Sequence, residues 1–279
     1  MSVTWEGKTY SSWAEVRALE SVKQAAPVTP PVAVAVAEVP PVFGLSSAPA
    51  SPAPERKRAL TDRYRPRKLS ELVGQEEAVA VLSAFVADPY PAAFIMSGET
   101  GVGKSSAAIA LACELGCDVE QGEWGGFHAI ESGEMNADTL RGRWDRLYGT
   151  PMGSARGWKT LVCNEIEQLT GTVEKLWLDK LENIPDHTVV VFTTNSLASL
   201  PARFVDRCIG GVLEFRGAAD DLAEPARGLA RSIWRAETGG EIPSDVLEKV
   251  IQRATSAGRL SLRRVVQHLT PLLAKGSVR

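Results

Sequence analysis

A glycine-rich run that ends in a lysine and a serine is the strongest chemical signal in the sequence. It matches the phosphate-binding pattern G-x-x-x-x-G-K-[ST] in full and comprises Gly98, Glu99, Thr100, Gly101, Val102, Gly103, Lys104 and Ser105. Glycines let backbone N–H groups turn toward phosphate oxygens, and the start of a helix, here from Ser106, favours the same anion. Lys104 is predicted to contact the β- and γ-phosphates of a nucleotide, and Ser105 to bind Mg²⁺. A glycine-rich turn without a ligand is the weaker alternative, because the flanking strand and helix are both present.

The segments around this run alternate short apolar stretches with longer amphipathic ones, which predicts a parallel sheet covered by helices. Buried strands are predicted at 93–96, 160–163 and 188–192. Beyond Phe215 the strand signal ends, and three helices are predicted, one through Arg227 and Trp234, one opened by Pro243 and one opened by Ser261. The predicted fold class is therefore α/β, a P-loop sheet with flanking helices plus a small all-α domain.

Composition divides the chain into four predicted segments. They are a short docking or tether element at 1–24, a Pro- and Ala-rich disordered linker at 25–59, the P-loop domain at 60–217 and the helical domain at 218–279. In the first segment, Trp5 and Tyr10 flank a Gly-Lys turn, and Ser12–Glu15 has the pattern of a capping box that opens a helix. The residues support a docking element and a passive tether equally.

Charge and cysteine content exclude several classes of protein. The formal net charge of −3 provides no overall positive field for nucleic acid, so any DNA contact must be local or shared between subunits. The four cysteines match no disulfide framework and no paired zinc spacing, which indicates reduced thiols in a cytoplasmic protein. Neither an export signal nor a membrane span is predicted. Two basic clusters, 56–68 and Arg141, Arg143 and Arg146, are either DNA-backbone contacts or solvated surface, and the second interpretation is favoured for the first cluster.

Two further segments are specific enough to compare with a known family, Asp62–Leu69 followed by Leu72–Gln75, and Phe192–Asn195. They resemble the adenine-wrapping segment and the sensor strand of AAA+ ATPases of the DNA clamp-loader group, the replication factor C small subunits and the bacterial gamma subunits. The resemblance implies adenine contacts from Tyr64, Arg65, Pro66, Val73 and Gly74, and it makes 60–217 the ATPase domain and 218–279 its lid. It implies that Asn195 lies between the γ-phosphate and the attacking water. It covers about 60–275 without the C-terminal collar that holds such rings together, so weaker ring assembly is expected.

The strand that ends at 163 departs from the family pattern at one position. In AAA+ proteins this strand is followed by two acidic residues, whereas here Asn164 precedes Glu165. Glu165 retains the carboxylate that polarises water, while Asn164 can reach the metal through a water but brings no negative charge to Mg²⁺. Weaker metal affinity and turnover are expected, and Asn164→Asp should raise turnover if the missing charge is limiting. The alternative is that both residues only terminate a strand.

Two arginines complete the resemblance. Arg207 lies where the family has its arginine finger, which is projected into a neighbouring subunit, although the adjacent Asp206 could hold it in a salt bridge instead. Arg263 lies where the lid returns a second arginine to the phosphates. Because a delocalised cation suits developing phosphoryl charge, functional roles are predicted for both.

The resemblance implies an ATPase that uses ATP and Mg²⁺ to switch its contacts with other AAA+ subunits, primed duplex DNA and a sliding clamp. Two alternatives stay open. One is a non-catalytic or weakly catalytic assembly subunit, which Asn164 favours. The other is a P-loop kinase, which would need an acceptor site that the helical C-terminal segment does not suggest.

Overall fold

The computed structural model describes residues 58–276 except 168 and 170, together with 3–5 and 8–10. The chain divides into two units, 1–55 and 56–279. In the first unit, β1 (Val3–Trp5) pairs antiparallel with β2 (Lys8–Tyr10). The helix predicted after Ser12 and most of the predicted linker lie outside the described residues.

The second unit is built on a sheet of five parallel strands in the order β4-β5-β6-β3-β7. These are β3 (Ala92–Gly98), β4 (Phe127–Ile130), β5 (Lys159–Cys163), β6 (Thr188–Thr194) and β7 (Gly211–Phe215). The three predicted strands are the three central ones, which are buried on both faces and therefore read as continuous apolar runs. The edge strands β4 and β7 were missed because they are short and only partly buried.

Helices cover both faces of the sheet. Those before the C-terminal region are α1 (Leu60–Arg63), α2 (Glu76–Ala87), α3 (Lys104–Glu114), α4 (Ala137–Arg146), α5 (Gly171–Glu182) and α6 (Ala202–Val205). One core contains apolar residues of α2 and α3, and the other contains those of α4, α5 and α6. In the second core, Trp177 contacts Trp144 and Phe192 edge to face, with ring centroids 5.9 and 4.8 Å away. The strand ends that carry the predicted site are thus held between two packed layers.

The C-terminal region contains the three predicted helices, α7 (Ala219–Thr238), α8 (Ser244–Ala254) and α9 (Leu262–Gly276). A small hairpin of β8 (Thr255–Ser256) and β9 (Arg259–Leu260), which was not predicted, connects α8 to α9. Buried apolar residues of all three helices join the same core as α2 and α3. Within the described part of the chain, no helix has the length and apolar character needed to cross a bilayer.

Candidate functional site

The phosphate-binding loop connects the end of β3 to the start of α3, as predicted. Gly98 has φ +148°, and a Cβ atom there would lie 2.5 Å from the carbonyl oxygen of Phe215. Gly101 has φ +86°, and a Cβ atom there would lie 2.1 Å from Oγ of Ser261. Both positions therefore require glycine, the first because of β7 and the second because of the residue just before α9.

Lys104 is almost completely enclosed by this loop. Its side chain donates hydrogen bonds from Nζ to the carbonyl oxygens of Gly98 (2.5 Å) and Glu99 (2.7 Å) and to Oδ1 of Asn195 (3.0 Å). These three acceptors match the three donors of an ammonium group. Burial lowers the pKa of Lys104, and the carboxylates of Glu165 and Glu167 act in the opposite direction. The lysine is thus held at the mouth of the loop and connected to the predicted sensor residue.

Asn195, the predicted sensor residue, is fixed on its other side by a carboxylate that was not predicted as part of the site. Both the backbone N–H of Asn195 and its Nδ2 donate to Oε1 of Glu167, at 3.0 and 2.8 Å. Oδ1 of Asn195 is thereby left to accept from Lys104 and from Oγ1 of Thr100, the latter at 3.3 Å. Glu167 orients the amide so that its oxygen faces the phosphate-binding loop.

The residues at the end of β5 form a second cluster of polar contacts. Oδ1 of Asn164 accepts from Oγ of Ser105 (3.2 Å) and from Oγ1 of Thr193 (3.4 Å). Its Nδ2 donates to Oε1 of Glu131 at 3.0 Å. Ser105 and Asn164, which were each predicted to act on the metal, are therefore adjacent, and Glu131 is a partner that the sequence did not indicate.

Glu165 has an unusual backbone conformation for a residue that is not glycine. Its φ is +53°, and its N–H donates to Oγ1 of Thr193 at 3.0 Å. A left-handed conformation at such a residue costs on the order of 1 kcal/mol and is enriched at functional sites. The backbone of Glu165 thus departs from the extended conformation of β5, and the residue lines the cavity beside Lys104.

A cavity of about 440 Å³ lies between the phosphate-binding loop, the segment before α2 and the C-terminal helices. The predicted residues that line it are Tyr64, Arg65, Pro66, Val73, Thr100, Gly101, Val102, Gly103, Lys104, Ser105, Ser106, Glu165, Asn195 and Arg263. Leu229, Leu262 and Val266 add apolar lining that was not predicted. A volume of this size, with one apolar side and one polar side, is typical of a small-molecule site.

Five predicted site residues lie outside this lining. Gly74 packs against Leu222 of α7, Gly98 against Phe215, and Glu99 forms an ion pair with Arg259 of β9. Asn164 lies behind Ser105, to which it is hydrogen-bonded. The fifth is Arg207. These residues support the walls of the cavity or face other surfaces.

The two predicted arginines are placed differently. Arg263 lines the cavity, and its backbone N–H donates to the carbonyl oxygen of Gly101 at 3.3 Å, so α9 begins against the phosphate-binding loop. Arg207 forms an ion pair with Glu182 of α5 at 2.7 Å and donates to the carbonyl oxygen of Leu178. Its carboxylate partner in the described part of the chain is therefore Glu182 and not the neighbouring Asp206.

The described basic residues of both clusters are largely paired with carboxylates. Arg58 and Arg67 both contact Glu120, and Arg63 contacts Glu237. Arg143 and Arg146 contact Glu123, and Arg141 contacts Asp138. These pairs support the interpretation of both clusters as solvated protein surface.

Gln75 makes a further contact that connects the segment before α2 with the end of the sheet. Gln75 is buried, and its side-chain amide accepts from the backbone N–H of Arg216 and donates to the carbonyl oxygen of the same residue, at 2.9 Å in each case. The segment before α2 is thus fixed to the end of β7. Gln75 belonged to the resemblance but was not predicted as a site residue.

Comparison with known proteins supports the resemblance to clamp-loader subunits. No protein-family model matches the chain. A replication factor C small subunit from Thermoplasma acidophilum is 25% identical over 219 residues, which are 78% of this chain and 65% of that protein. A second, from Thermoplasma volcanium, is 30% identical over 165 residues, or 58% of this chain and 50% of that protein. The DNA polymerase III subunit gamma/tau of Mycoplasma pneumoniae is 25% identical over 173 residues, or 54% of this chain and 24% of that protein.

The chain thus spans between half and about two thirds of the length of these two replication factor C relatives.

Solved structures of RuvB from Thermotoga maritima have the same fold, and one superposes with a TM-score of 0.57 at 19% identity, covering 77% of this chain and 68% of that one. The order of the sheet, the phosphate-binding loop and the helical C-terminal region agree with this likeness. The fold is that of an AAA+ P-loop ATPase, and the sequence is similar to those of clamp-loader subunits.

Proposed function

We propose that the chain binds ATP with Mg²⁺ in the 440 Å³ cavity and hydrolyses it, as a clamp-loader-like AAA+ subunit in DNA replication or repair. One observation carries the proposal. Lys104, Glu165, Asn195 and Arg263 come from the loop after β3, the end of β5, the end of β6 and the start of α9, and all line one cavity. Side chains for phosphate binding, water activation and γ-phosphate sensing are thereby brought together by four separate segments.

The cavity has distinct regions for the base and for the phosphates. Tyr64, Val73 and the apolar residues Leu229, Leu262 and Val266 form the side that suits an adenine. The glycine-rich loop and the first turn of α3 present backbone N–H groups, to which Lys104 adds a positive charge. On binding, the ammonium group of Lys104 exchanges its contacts with two loop carbonyls for contacts with phosphate oxygens. Such an exchange favours a triphosphate, which supplies more anionic oxygens than a nucleoside does.

The residues beside Ser105 fit a magnesium ion that is bound mainly by the nucleotide. Mg²⁺ retains several waters and takes only one or two protein oxygens in such sites. The hydroxyl of Ser105 and Oδ1 of Asn164 are hydrogen-bonded to each other at 3.2 Å, so two suitable oxygens are adjacent. No group of three or more His, Cys, Asp or Glu side chains forms a separate metal site among the described residues. When bound, the ion neutralises phosphate charge.

Hydrolysis is assigned to the residues at the ends of β5 and β6. Glu165 acts as the general base for the attacking water, and Asn195 positions that water and detects the γ-phosphate. Arg263 stabilises negative charge from the lid side, since it lines the same cavity. Loss of the γ-phosphate removes the contacts of these side chains, which changes the angle between the sheet and the C-terminal helices.

We assign Arg207 to the site of a neighbouring AAA+ subunit. It does not line the cavity of its own chain, and its partner Glu182 lies on α5. An arginine held by an exposed carboxylate can exchange that partner for a phosphate when a second subunit approaches. The placement of Arg207 supports other AAA+ subunits as partners, and the similarity to clamp-loader subunits is the reason to add primed duplex DNA and a sliding clamp.

A second candidate is an assembly subunit that binds nucleotide with little or no hydrolysis. Asn164 favours it, because the metal-side residue of β5 carries no charge of its own. The two candidates differ in turnover and agree in nucleotide binding, so one set of measurements separates them.

The test combines calorimetric MgATP binding with steady-state ATPase rates, with and without primed DNA, on material whose mass is known from light scattering. Saturable binding with turnover that rises on DNA supports the ATPase. Binding without turnover under any DNA or partner condition supports the assembly subunit. Absence of MgATP binding overturns both, and full turnover by a monomer overturns the role of Arg207 in a neighbour's site.

A further inference from the structure

The carboxylate that position 164 lacks is present directly after the neighbouring strand, at Glu131. Strands β4 and β5 are adjacent and parallel, and Ile130 pairs in register with Cys163. Glu131 and Asn164 therefore directly follow two neighbouring strands, and the backbone N–H of Asn164 donates to the carbonyl oxygen of Ile130 at 2.9 Å. Oε1 of Glu131 lies 3.0 Å from Nδ2 of Asn164.

This contact determines how the amide of Asn164 is oriented. An ionised carboxylate accepts hydrogen bonds and donates none, so the amide must present its NH₂ group to Glu131. Its oxygen then faces the hydroxyls of Ser105 and Thr193, at 3.2 and 3.4 Å. In the opposite orientation the NH₂ group would face Ser105, and no oxygen of residue 164 would be available there.

The contact also alters the electron distribution in the amide. A hydrogen bond from NH₂ to a carboxylate is charge-assisted, and it draws amide electron density toward the oxygen. The oxygen of Asn164 beside Ser105 thus becomes more negative than that of an isolated asparagine. Glu131, which follows β4, thereby increases the negative charge beside Ser105, although Asn164 after β5 carries no charge of its own.

We propose that Glu131 is a positioning residue for the nucleotide-bound metal, because it orients and polarises Asn164 so that the amide oxygen replaces the usual carboxylate. This inference rests on the proposed function, since it concerns the metal of the same nucleotide site. It reverses the expectation that Asn164→Asp alone raises activity. An aspartate at 164 would lose the donor to Glu131 and bring two carboxylates close together, where they repel each other.

The experiment measures the metal dependence of nucleotide binding, without any need for turnover. Affinity for a non-hydrolysable ATP analogue is determined by calorimetry at increasing Mg²⁺ concentrations and in EDTA. The variants are Glu131→Gln, Asn164→Asp and the two combined. The matched control is Glu134→Gln, which removes the same charge from an exposed residue three positions along the chain. Because Glu131 is exposed, its substitution should leave the unfolding temperature unchanged.

Glu131→Gln is expected to weaken apparent Mg²⁺ affinity by about 10- to 100-fold, as loss of such outer partners does at other metal sites. Affinity in EDTA should not change, and Glu134→Gln should behave as the unsubstituted protein. Asn164→Asp alone should give no gain, while the same change combined with Glu131→Gln should restore the metal affinity. Equal Mg²⁺ dependence in Glu131→Gln and the unsubstituted protein, or a full gain from Asn164→Asp alone, overturns the inference. If the unsubstituted protein binds no Mg-nucleotide, the proposed function fails as well.

Discussion

The hydroxyl of Tyr64 donates a hydrogen bond of 2.6 Å to Oε1 of Glu237, and this contact joins the segment that follows α1 to the last turn of α7. The other carboxylate oxygen of Glu237 accepts from Arg63 at 2.9 Å. Tyr64 also lines the cavity on the side that suits the base. The wall of the base pocket is therefore held by two segments that are far apart in sequence, and its geometry depends on where the C-terminal helices lie.

Tyr64→Phe should destabilise the second unit by about 1 kcal/mol, the usual net contribution of one hydrogen bond. Burial and the contact with Glu237 raise the pKa of Tyr64 from 10.0 to about 12. A raised pKa in the folded state means that the stabilising contribution is complete below pH 10 and is lost as the pH rises through 12. Thermal unfolding should therefore separate Tyr64→Phe from the unsubstituted protein at pH 8, and the difference should shrink above pH 11. A constant difference across this range would contradict the assignment.

Lys104→Ala should reduce MgATP affinity by at least about 100-fold, because hydrogen bonds to charged groups contribute about 1.5–3 kcal/mol each. Calorimetry measures the loss directly. Lys249→Ala is the matched control, since Lys249 is an exposed lysine of α8 that pairs with Asp245. Equal affinity of Lys104→Ala and Lys249→Ala would remove the phosphate site from this loop.

Glu165→Gln should retain ATP binding and lower kcat by about 10²- to 10⁴-fold, the range that a general base contributes. The glutamine keeps the size of the side chain and removes its ability to accept a proton. Single-turnover hydrolysis measures the effect, with binding followed separately on the same material. Glu134→Gln serves again as the control for charge. Turnover that survives in Glu165→Gln would assign the base to another residue.

The sequence predicted the parts of the site that are contiguous in the chain, and it missed most of those that depend on neighbouring strands. Lys104 and Ser105 belong to one uninterrupted motif. The central strands are recognisable in the sequence because strands buried on both faces are continuous apolar runs. Glu131, by contrast, approaches Asn164 only because β4 lies beside β5, and Glu237 approaches Tyr64 only through the packing of α7. Strand order and helix packing are set by long-range contacts, which local patterns do not encode.

Glu167 illustrates the same point at shorter range. Only one residue, Ile166, separates it from the predicted Glu165, yet its role depends on β6, whose last residue precedes Asn195. A charged residue after a strand is ordinarily solvated, so the pattern alone gave no reason to include it. The edge strands were missed for a related reason, since half-buried strands carry a weaker apolar signal than central ones.

The final prediction concerns Arg207, which should act in a neighbouring subunit. Arg207→Ala keeps its own site intact and lacks the finger, whereas Glu165→Gln keeps the finger and lacks the base. Arg207→Ala alone should hydrolyse ATP at least about 10³-fold more slowly if the finger contributes as it does in other P-loop NTPases. Glu165→Gln alone should lose about 10²- to 10⁴-fold, and a mixture of the two variants should regain activity. Arg253→Ala, an exposed arginine of α8, is the control and should be fully active. Activity of the mixture no greater than the sum of its parts would place Arg207 in a structural role with Glu182, because only a contact between subunits allows the two defects to complement each other.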